Sequence, residues 1–206
     1  MPGRTRARAR VASDRHPRER LQEAGTRLFH ERGFHATSVR DITEACGLTS
    51  GSLYNHFESK EDVLYSIIME AHAALDRNLD AVPADAPPAQ RLRGLVEVFV
   101  LHHTRLSREA TVGDEWRALD EDHRKEVREN RLRVRARFED VLRAGVASGE
   151  FVLPELPDGD PTRIAAMAFL DMAFRVAGWF HAEGPLSDTE FSRFYAELIV
   201  RSVLAR

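Results

Sequence analysis

The chain has 206 residues, a single cysteine and a formal net charge of −3 at neutral pH. This length can bury one large core or two modest ones, and one cysteine excludes a framework of intramolecular disulfides. The sequence has no run of about 18 apolar residues and no apolar segment near its start, so we expect neither a membrane span nor a secretory signal. A cytoplasmic protein that does not contact the membrane is therefore predicted.

The net charge hides an asymmetry between the two ends of the chain. Residues 1–60 contain 11 Arg and Lys against 7 Asp and Glu, whereas residues 61–206 contain 19 against 26. A basic first part on an acidic remainder is expected where only one end of a protein meets a polyanion.

The first 16 residues form a basic arm without apolar periodicity. Four arginines alternate with small side chains in it: Arg4, Arg6, Arg8 and Arg10. Such an arm can reach a DNA minor groove or nearby phosphates, or can be a solvated tail, and both interpretations stay open. Apolar residues then repeat at helical spacing from Arg18 to Arg32, and Gly33 ends this first helix.

The stretch from Thr37 to Lys60 predicts two short helices joined by a tight turn and followed by the start of a third. Ser38 and Asp41 have the spacing of a capping box at the start of the first of these helices. Gly47 ends it, because glycine adopts a left-handed conformation without a Cβ penalty. The second short helix is predicted from about Ser50 to Phe57.

The two sides of this second short helix differ in chemistry. Leu53 and Phe57 share its apolar side. The other side is polar or small: Ser50, Gly51, Ser52, Tyr54, Asn55 and His56. Hydroxyl and amide groups bond phosphate oxygens and base edges, so the pattern predicts a recognition helix in the major groove of DNA. The alternative is that the helix-turn-helix is only a compact way of packing short helices.

This part of the chain resembles the DNA-binding domain of the TetR family of bacterial transcriptional regulators. The residues that carry the resemblance are Phe29, Gly33, Phe34, Ala36, Thr37, Ser38, Val39, Arg40, Asp41, Ile42, Ala45, Gly47, Ser50, Gly51, Ser52, Leu53, Tyr54, His56, Phe57, Lys60, Glu61 and Leu64. They span about a quarter of the chain.

The resemblance implies a DNA site, assigned position by position. Phosphate contacts fall to Thr37, Tyr54, His56 and Lys60. Positions near base edges are Arg40, Ser50, Gly51, Ser52 and Asn55, and Ser38 belongs to the same site. Asn55 departs from the family pattern, which often has a second aromatic residue or a histidine there.

A fourth helix is predicted from Ser59 for about twenty residues, or about 30 Å, which is long enough to bridge two domains. The connector Ala81–Pro88 ends it. Further helices are predicted over residues 89–107, 109–119 and 120–148. His102 and His103 have no Cys, Asp or Glu at ligand spacing beside them, so they are interpreted as core or pocket residues rather than metal ligands.

The last two helices carry more apolar surface than one core needs. Asp160 and Pro161 signal the start of a helix to about His181 that is apolar almost all round, and Ser187 opens the last helix. A homodimer that pairs these helices across residues 161–206 is predicted, and TetR regulators dimerise through their last two helices. Twofold symmetry would then place two recognition helices on a pseudo-palindromic operator of double-stranded DNA.

No nucleophile elbow, phosphate loop, metal quartet or dinucleotide fingerprint is present in the sequence, so neither an enzyme nor a cofactor is predicted. A set of aromatic, methionine and isolated polar residues could line a mostly apolar effector site, or could be an ordinary core. Its members are Phe99, His103, Trp116, Phe138, Met167, Leu170, Phe174 and Trp179.

Segments of the second part, among them residues 124–151 and 174–186, are similar to TetR-family members that sense acyl-CoA thioesters. The resemblance makes an acyl-CoA one candidate effector, beside a free fatty acid, a drug-like aromatic compound or another metabolite. The predicted fold is all-α, with an N-terminal three-helix helix-turn-helix domain (1–60) joined by a long helix to a helical domain for ligand binding and dimerisation (61–206). The predicted function is a ligand-released transcriptional repressor. The alternatives are a DNA-binding protein of the same fold that acts without a small effector, and an all-α enzyme.

Overall fold

The structure is a computed structural model and describes residues 16–205. The predicted arm with Arg4, Arg6, Arg8 and Arg10 lies outside the described residues. Within these residues, all regular secondary structure is helical, apart from one isolated antiparallel bridge that joins Phe151 to Leu204. The all-α fold class is confirmed.

The helices are numbered here in chain order. They are α1 (Pro17–Arg32), α2 (Val39–Ala45), α3 (Ser50–Tyr54), α4 (Lys60–Asp80), α5 (Pro88–Arg105), α6 (Ser107–Gly113), α7 (Glu121–Ala147), α8 (Pro161–Phe174) and α9 (Asp188–Val203). Two 3₁₀ segments, Asp114–Ala118 and Arg175–Gly178, follow α6 and α8. None of the described helices is both long enough and apolar enough to cross a lipid bilayer.

The described residues divide into two compact units. Unit 1 contains the chain up to Met69 together with Thr111–Arg124, and unit 2 contains Glu70–Ala110 together with the chain from Lys125. Unit 1 thus adds a later segment to the helix-turn-helix. The functional boundary between residues 60 and 61 stays a prediction.

Local capping signals set where several helices begin. The Ser38 hydroxyl accepts the Asp41 N–H (3.1 Å) while the Asp41 carboxylate accepts the Ser38 N–H (2.8 Å), and Ser187 with Glu190 repeats this box at α9. Asp160 accepts the Thr162 N–H at 2.9 Å ahead of α8. These starts are as the sequence predicted, because each depends on residues within one turn.

Two helices end earlier than predicted. The Leu53 carbonyl accepts N–H groups from both His56 and Phe57 (both 2.9 Å), which tightens the chain after Tyr54 and ends α3 there rather than at Phe57. Phe57 is still buried. Helix α8 ends at Phe174 and passes into a 3₁₀ turn instead of continuing to His181. Tightened last turns of this kind satisfy carbonyls that a helix end leaves open.

Each unit has its own apolar core. In unit 1 the core joins α1 to α4 across the helix-turn-helix, with Leu21, Leu28, Phe29, Phe34, Ile42, Leu53, Phe57, Val63, Leu64 and Ile67 buried. Gly25 lets α1 approach α4 closely, since a Cβ built there would lie 2.8 Å from the Val63 side chain. In unit 2 the core is formed mainly by α5, α7, α8 and α9, and includes Leu92, Leu95, Phe99, Phe138, Val141, Leu142, Phe191, Ile199 and Val200.

Candidate nucleic-acid interface and effector site

The turn between α2 and α3 is fixed by contacts from both sides. Gly47 has φ 65°, which allows the chain to reverse, and the Leu48 N–H returns to the Thr43 carbonyl at 2.8 Å. The Arg20 guanidinium of α1 donates to the Cys46 carbonyl. A cation on the last carbonyls of α2 stabilises its C-terminus. These contacts hold α3 in a defined orientation on the unit 1 core.

Helix α3 is anchored on one side and exposed on the other. The Leu53 side chain is fully buried, whereas Tyr54 is 59% exposed. Ser50, Gly51 and Asn55 are also exposed. The Ser52 and His56 side chains are half-buried. Ser52 Oγ lies 3.0 Å from Thr49 Oγ1, and the His56 ring lies edge-on to the His16 ring, with 5.4 Å between ring centres. The structure brings together all six predicted polar positions, from residue 50 to residue 56.

Thr37 and Lys60 lie deeper than a simple phosphate contact requires. Thr37 is 1% exposed, and its hydroxyl donates to the Gly33 carbonyl at 2.9 Å. The Lys60 ammonium donates to the Phe34 and Thr37 carbonyls at 2.8 and 2.7 Å, and burial lowers the pKa of Lys60. In this structure both side chains hold the loop that leads into α2, and their phosphate contacts stay predictions.

Ser38 and Arg40 lie at the exposed start of α2. Arg40 Nε donates to Glu44 Oε1 at 2.6 Å across one helical turn, and this bond with the charge of Glu44 raises the pKa of Arg40. The Ser38 hydroxyl and N–H lower the pKa of Asp41 by hydrogen bonding to its carboxylate. Surface pairs of this kind contribute little stability, so Arg40 can exchange Glu44 for another acceptor at small cost.

Four of the eight predicted effector residues form one aromatic cluster in unit 2. The His103 ring lies 4.2 Å from the Phe99 ring and 5.1 Å from the Phe174 ring, and Phe99 lies 6.0 Å from Phe138. Leu170 packs on the same core. The two edge-to-face pairs, Phe99 with Phe138 and His103 with Phe174, have a favoured aromatic geometry.

The other three predicted effector residues lie elsewhere. Met167 and Trp179 are 41% and 51% exposed. Trp116 belongs to unit 1, where the Arg117 guanidinium lies 5.0 Å from its ring centre. Apolar periodicity could not separate these positions from the cluster, because it does not specify which side of a helix the rest of the fold covers.

Sequence reasoning missed His72, a residue of α4 in unit 2. Its Nδ1 atom is buried without a hydrogen-bond partner among the described residues. Burial, with the charges of Arg131, His102 and Arg133, lowers the pKa of His72 to about 4. Burial likewise lowers the pKa of His102 to about 4 and that of His103 to about 3. Unit 2 therefore holds three imidazoles that are neutral at pH 7, and one of them, His103, contacts the Phe99 and Phe174 rings.

An apolar surface extends over α8, its following 3₁₀ turn and α9. Its large exposed side chains are Ile164, Met167, Met172, Trp179, Leu186, Phe194 and Leu198. Single exposed apolar residues are common, but seven within the last two helices and the segment that joins them are typical of a protein interface.

Residues 21–67 match the family described as bacterial regulatory proteins of the tetR family, and residues 85–203 match the tetracyclin repressor-like C-terminal domain. The HTH-type transcriptional repressor KstR2 of Mycobacterium tuberculosis is 31% identical over 195 residues, which cover 90% of this chain and 92% of that protein. The chain belongs to the TetR family. It is a transcriptional regulator with a helix-turn-helix DNA-binding domain.

Solved structures of TetR-family proteins share the whole fold. A tetR-family regulatory protein from Rhodococcus RHA1 has a TM-score of 0.84 at 26% identity, covering 93% of this chain and all of that one. The ketosteroid transcriptional regulator KstR2 of M. tuberculosis has a TM-score of 0.80 at 27% identity, covering 92% and 95%. AibR in complex with isovaleryl coenzyme A and operator DNA has a TM-score of 0.74 at 25% identity, covering 92% and 98%.

Proposed function

We propose that this TetR-family protein is a homodimeric repressor that binds a pseudo-palindromic operator and is released from it by a small effector. The observation that carries the proposal is the exposed polar face of α3 on a fully buried apolar anchor, Leu53. Proteins named as repressors among its relatives, and the operator DNA in the AibR structure, support the same function.

In the proposed complex, α3 enters the major groove and the start of α2 lies along the backbone. Tyr54 and His56 contact phosphates, while Thr37 and Lys60 hold the loop that supports those contacts. The residues near base edges are Ser50, Gly51, Ser52 and Asn55, with Arg40 reaching the DNA from α2 after it releases Glu44. Phosphate contacts fix position and base-edge contacts carry sequence preference.

The proposed dimer forms through the apolar surface of residues 161–206. Burying Phe194 and Leu198, one helical turn apart on α9, against a second copy would remove exposed apolar area from water. In a twofold dimer the same surface serves both chains, and each chain then presents one α3 to one operator half-site.

The proposed effector binds unit 2 at the aromatic cluster of Phe99, His103, Phe138 and Phe174, with Leu170 of the same core. The cluster suits an apolar body, and the unpartnered His72 Nδ1 suits a polar group on the same molecule. An acyl-CoA thioester is one such molecule, beside free fatty acids and aromatic acids; the isovaleryl coenzyme A bound to AibR favours the first.

Release follows from linkage. The dimer can adopt one shape in which its two α3 helices match the operator spacing and another in which they do not. An effector that binds the second shape more tightly lowers DNA affinity, at most by the ratio of its affinities for the two shapes. No direct contact between effector and DNA is needed.

The DNA-binding part is tested by selecting binding sites from a random duplex library with the purified protein. We expect an inverted repeat. Arg40→Ala should weaken binding to that site by about 10-fold to 100-fold, as loss of a base or phosphate contact does. Arg143→Ala is the control, because Arg143 is an exposed arginine of unit 2 that forms surface ion pairs to Asp140 at 2.9 Å and to Asp160 at 3.4 Å. Equal binding by both variants would contradict the proposed interface.

The effector part is tested on the operator found in this way. Acyl-CoAs, free fatty acids and aromatic acids are screened for thermal stabilisation of the protein, and stabilising compounds are then tested for release of the operator duplex. A compound that does both should lose most of its effect with Phe174→Ala. If stabilising compounds never change DNA affinity, the protein binds DNA without effector control.

A further inference from the structure

Three side chains of unit 1 bring an imidazole nitrogen and two carboxylates together outside the proposed DNA interface. Glu61 lies in the first turn of α4, while Asp120 precedes α7 and His123 lies in its first turn. Glu61 Oε1 is 2.9 Å from His123 Nδ1, and Asp120 Oδ2 is 3.4 Å from the same nitrogen. One donor atom from each residue lies within 4.8 Å of the other two.

Each of the three donors is oriented by a group outside the trio or by the backbone. The Tyr65 ring, one turn after Glu61 on α4, stacks on the His123 imidazole with 3.7 Å between ring centres and 14° between planes. The Asp120 N–H donates to Glu61 Oε1 at 3.3 Å, and the His123 N–H donates to Asp120 Oδ1 at 2.9 Å. Pre-oriented donors of this kind are what a metal site requires of its surroundings.

The separations suit a small divalent cation. Zinc binds nitrogen and oxygen at about 2.0–2.2 Å in a tetrahedron, which places neighbouring donor atoms about 3.3 Å apart. The separations of His123 Nδ1 from Glu61 Oε1 and from Asp120 Oδ2, 2.9 and 3.4 Å, lie on either side of that value. Two carboxylates and a neutral imidazole carry a charge of −2, which a divalent ion balances, and Asp62 adds negative charge next to Glu61.

The geometry points to a binding site for a divalent transition-metal ion, zinc in the first instance, held by His123 Nδ1, Glu61 and Asp120 with water as the fourth ligand. On binding, the metal replaces the hydrogen bond between His123 Nδ1 and Glu61, and the imidazole carries its proton on Nε2. The ion would join the first turn of α4 to the first turn of α7 within unit 1. This site does not depend on the proposed repressor function.

The test uses the full-length protein after dialysis against EDTA and desalting, titrated with ZnCl₂ by calorimetry and with CoCl₂ by visible absorption. His123→Phe keeps an aromatic ring for Tyr65 to stack on but removes the nitrogen ligand. Glu61→Gln keeps the size of the side chain but removes its charge. His30→Phe is the control, because His30 is an exposed histidine of α1 in the same unit.

We expect one zinc ion per chain, the intense visible spectrum of four-coordinate Co²⁺, and an increase in unfolding temperature on adding zinc. His123→Phe and Glu61→Gln should each weaken zinc binding by about 10-fold to 100-fold, while His30→Phe should not. The proposal is overturned if wild-type protein and His123→Phe bind zinc equally. In that case the trio is an ion pair with helix-capping hydrogen bonds only.

Discussion

The two units place polar and apolar groups in opposite ways. Unit 1 exposes the polar face of α3 and buries that helix's apolar anchors, as a surface that meets a hydrated polyanion must. Unit 2 exposes apolar side chains on α8 and α9 and buries polar ones, among them His102 and His103. The exposed groups of unit 1 thus suit a charged partner, whereas the exposed groups of unit 2 suit another apolar surface.

Histidine shows this difference most clearly. In unit 1, burial alone would lower the pKa of His123, but the hydrogen bond and charge of Glu61, with the charges of Asp120 and Asp62, together raise it. In unit 2, burial lowers the pKa of His72, His102 and His103, and no carboxylate among residues 16–205 compensates. The pKa of an imidazole thus follows the neighbouring carboxylates in unit 1 and burial in unit 2.

The largest effect we expect is acid destabilisation of unit 2. His103 has a folded-state pKa of about 3, whereas an unfolded histidine titrates near 6.5. Because the folded value is lowered, stability is lost as pH falls below about 6.5 and continues to fall until the folded pKa is reached. Each buried imidazole should cost up to about 2 kcal/mol at pH 5 relative to pH 7.

Urea unfolding at pH 7 and pH 5 measures this loss, and two variants isolate His103. His103→Phe removes the titrating group, so the difference in free energy of unfolding between the two pH values should shrink. It should also lower stability at pH 7, since the Phe99 carbonyl loses a partner at 2.7 Å. Phe174→Leu alters the same packing without removing the imidazole and should keep the wild-type difference. An unchanged difference in His103→Phe would show that His103 does not titrate in this way.

The contrast between the polar face of α3 and the apolar surface of α8 and α9 is tested by placing the same charge on two similarly exposed aromatic residues. Phe194 on α9 is 62% exposed and Tyr54 on α3 is 59% exposed. Phe194→Asp should convert the proposed dimer to monomer, since a charge at the centre of an apolar interface costs about 2–4 kcal/mol of association. Tyr54→Asp should remain a dimer but lose operator binding. Light scattering on a size-exclusion column measures the oligomeric state, and a DNA-binding assay measures operator affinity. If Tyr54→Asp also dissociated to monomer, the two surfaces would not have separate roles.

Sequence alone predicted the elements whose causes are local. The capping boxes at Ser38 and Ser187 and the Asp160 cap mark helix starts correctly, because donor and acceptor lie within one turn. The polar face of α3 was likewise predictable, since its one buried residue, Leu53, and its exposed residues lie within the same five positions. The resemblance to the TetR family is carried by these same local patterns.

What sequence could not predict depends on contacts between distant segments. Thr37 is buried because its hydroxyl finds carbonyls of Leu28 and Gly33, and Lys60 turns inward toward Phe34. No sequence pattern indicated that His72 is buried, since a histidine on a helix is exposed or buried according to whether another helix covers it. The pairing of Glu61 with His123 spans 62 residues and follows from no motif.

A smaller effect should follow from removing one matched cap in each unit. Ser38→Ala and Ser187→Ala delete equivalent hydroxyls, which accept N–H groups at 3.1 and 3.2 Å. Each should cost about 1 kcal/mol of stability. Only Ser38→Ala should also weaken operator binding, because only that cap positions the DNA-binding helices. Urea unfolding and DNA titration of both variants check this, and equal DNA affinity in the two would show that α2 needs no cap to bind.

The smallest effect concerns the contact between Glu61 and His123 in metal-free buffer with EDTA, where its pH dependence should oppose that of unit 2. Because the folded-state pKa of His123 is raised, the contact stabilises unit 1 fully below the unfolded value near 6.5, and loses this contribution as pH rises through the folded pKa. Glu61→Gln should therefore cost several tenths of a kcal/mol to about 1 kcal/mol at pH 6 and less at pH 9, since the pair is partly exposed.

NMR titration of the His123 ring protons checks the cause directly, because Glu61→Gln should lower the pKa of His123. Glu44→Gln is the matched control: Glu44 pairs with Arg40 at 2.6 Å in the same unit, and arginine stays charged throughout this range. Its cost should therefore be the same at pH 6 and pH 9. If both variants show the same pH dependence, Glu61 does not raise the pKa of His123. The histidines of the two units would then differ only in how deeply each is buried.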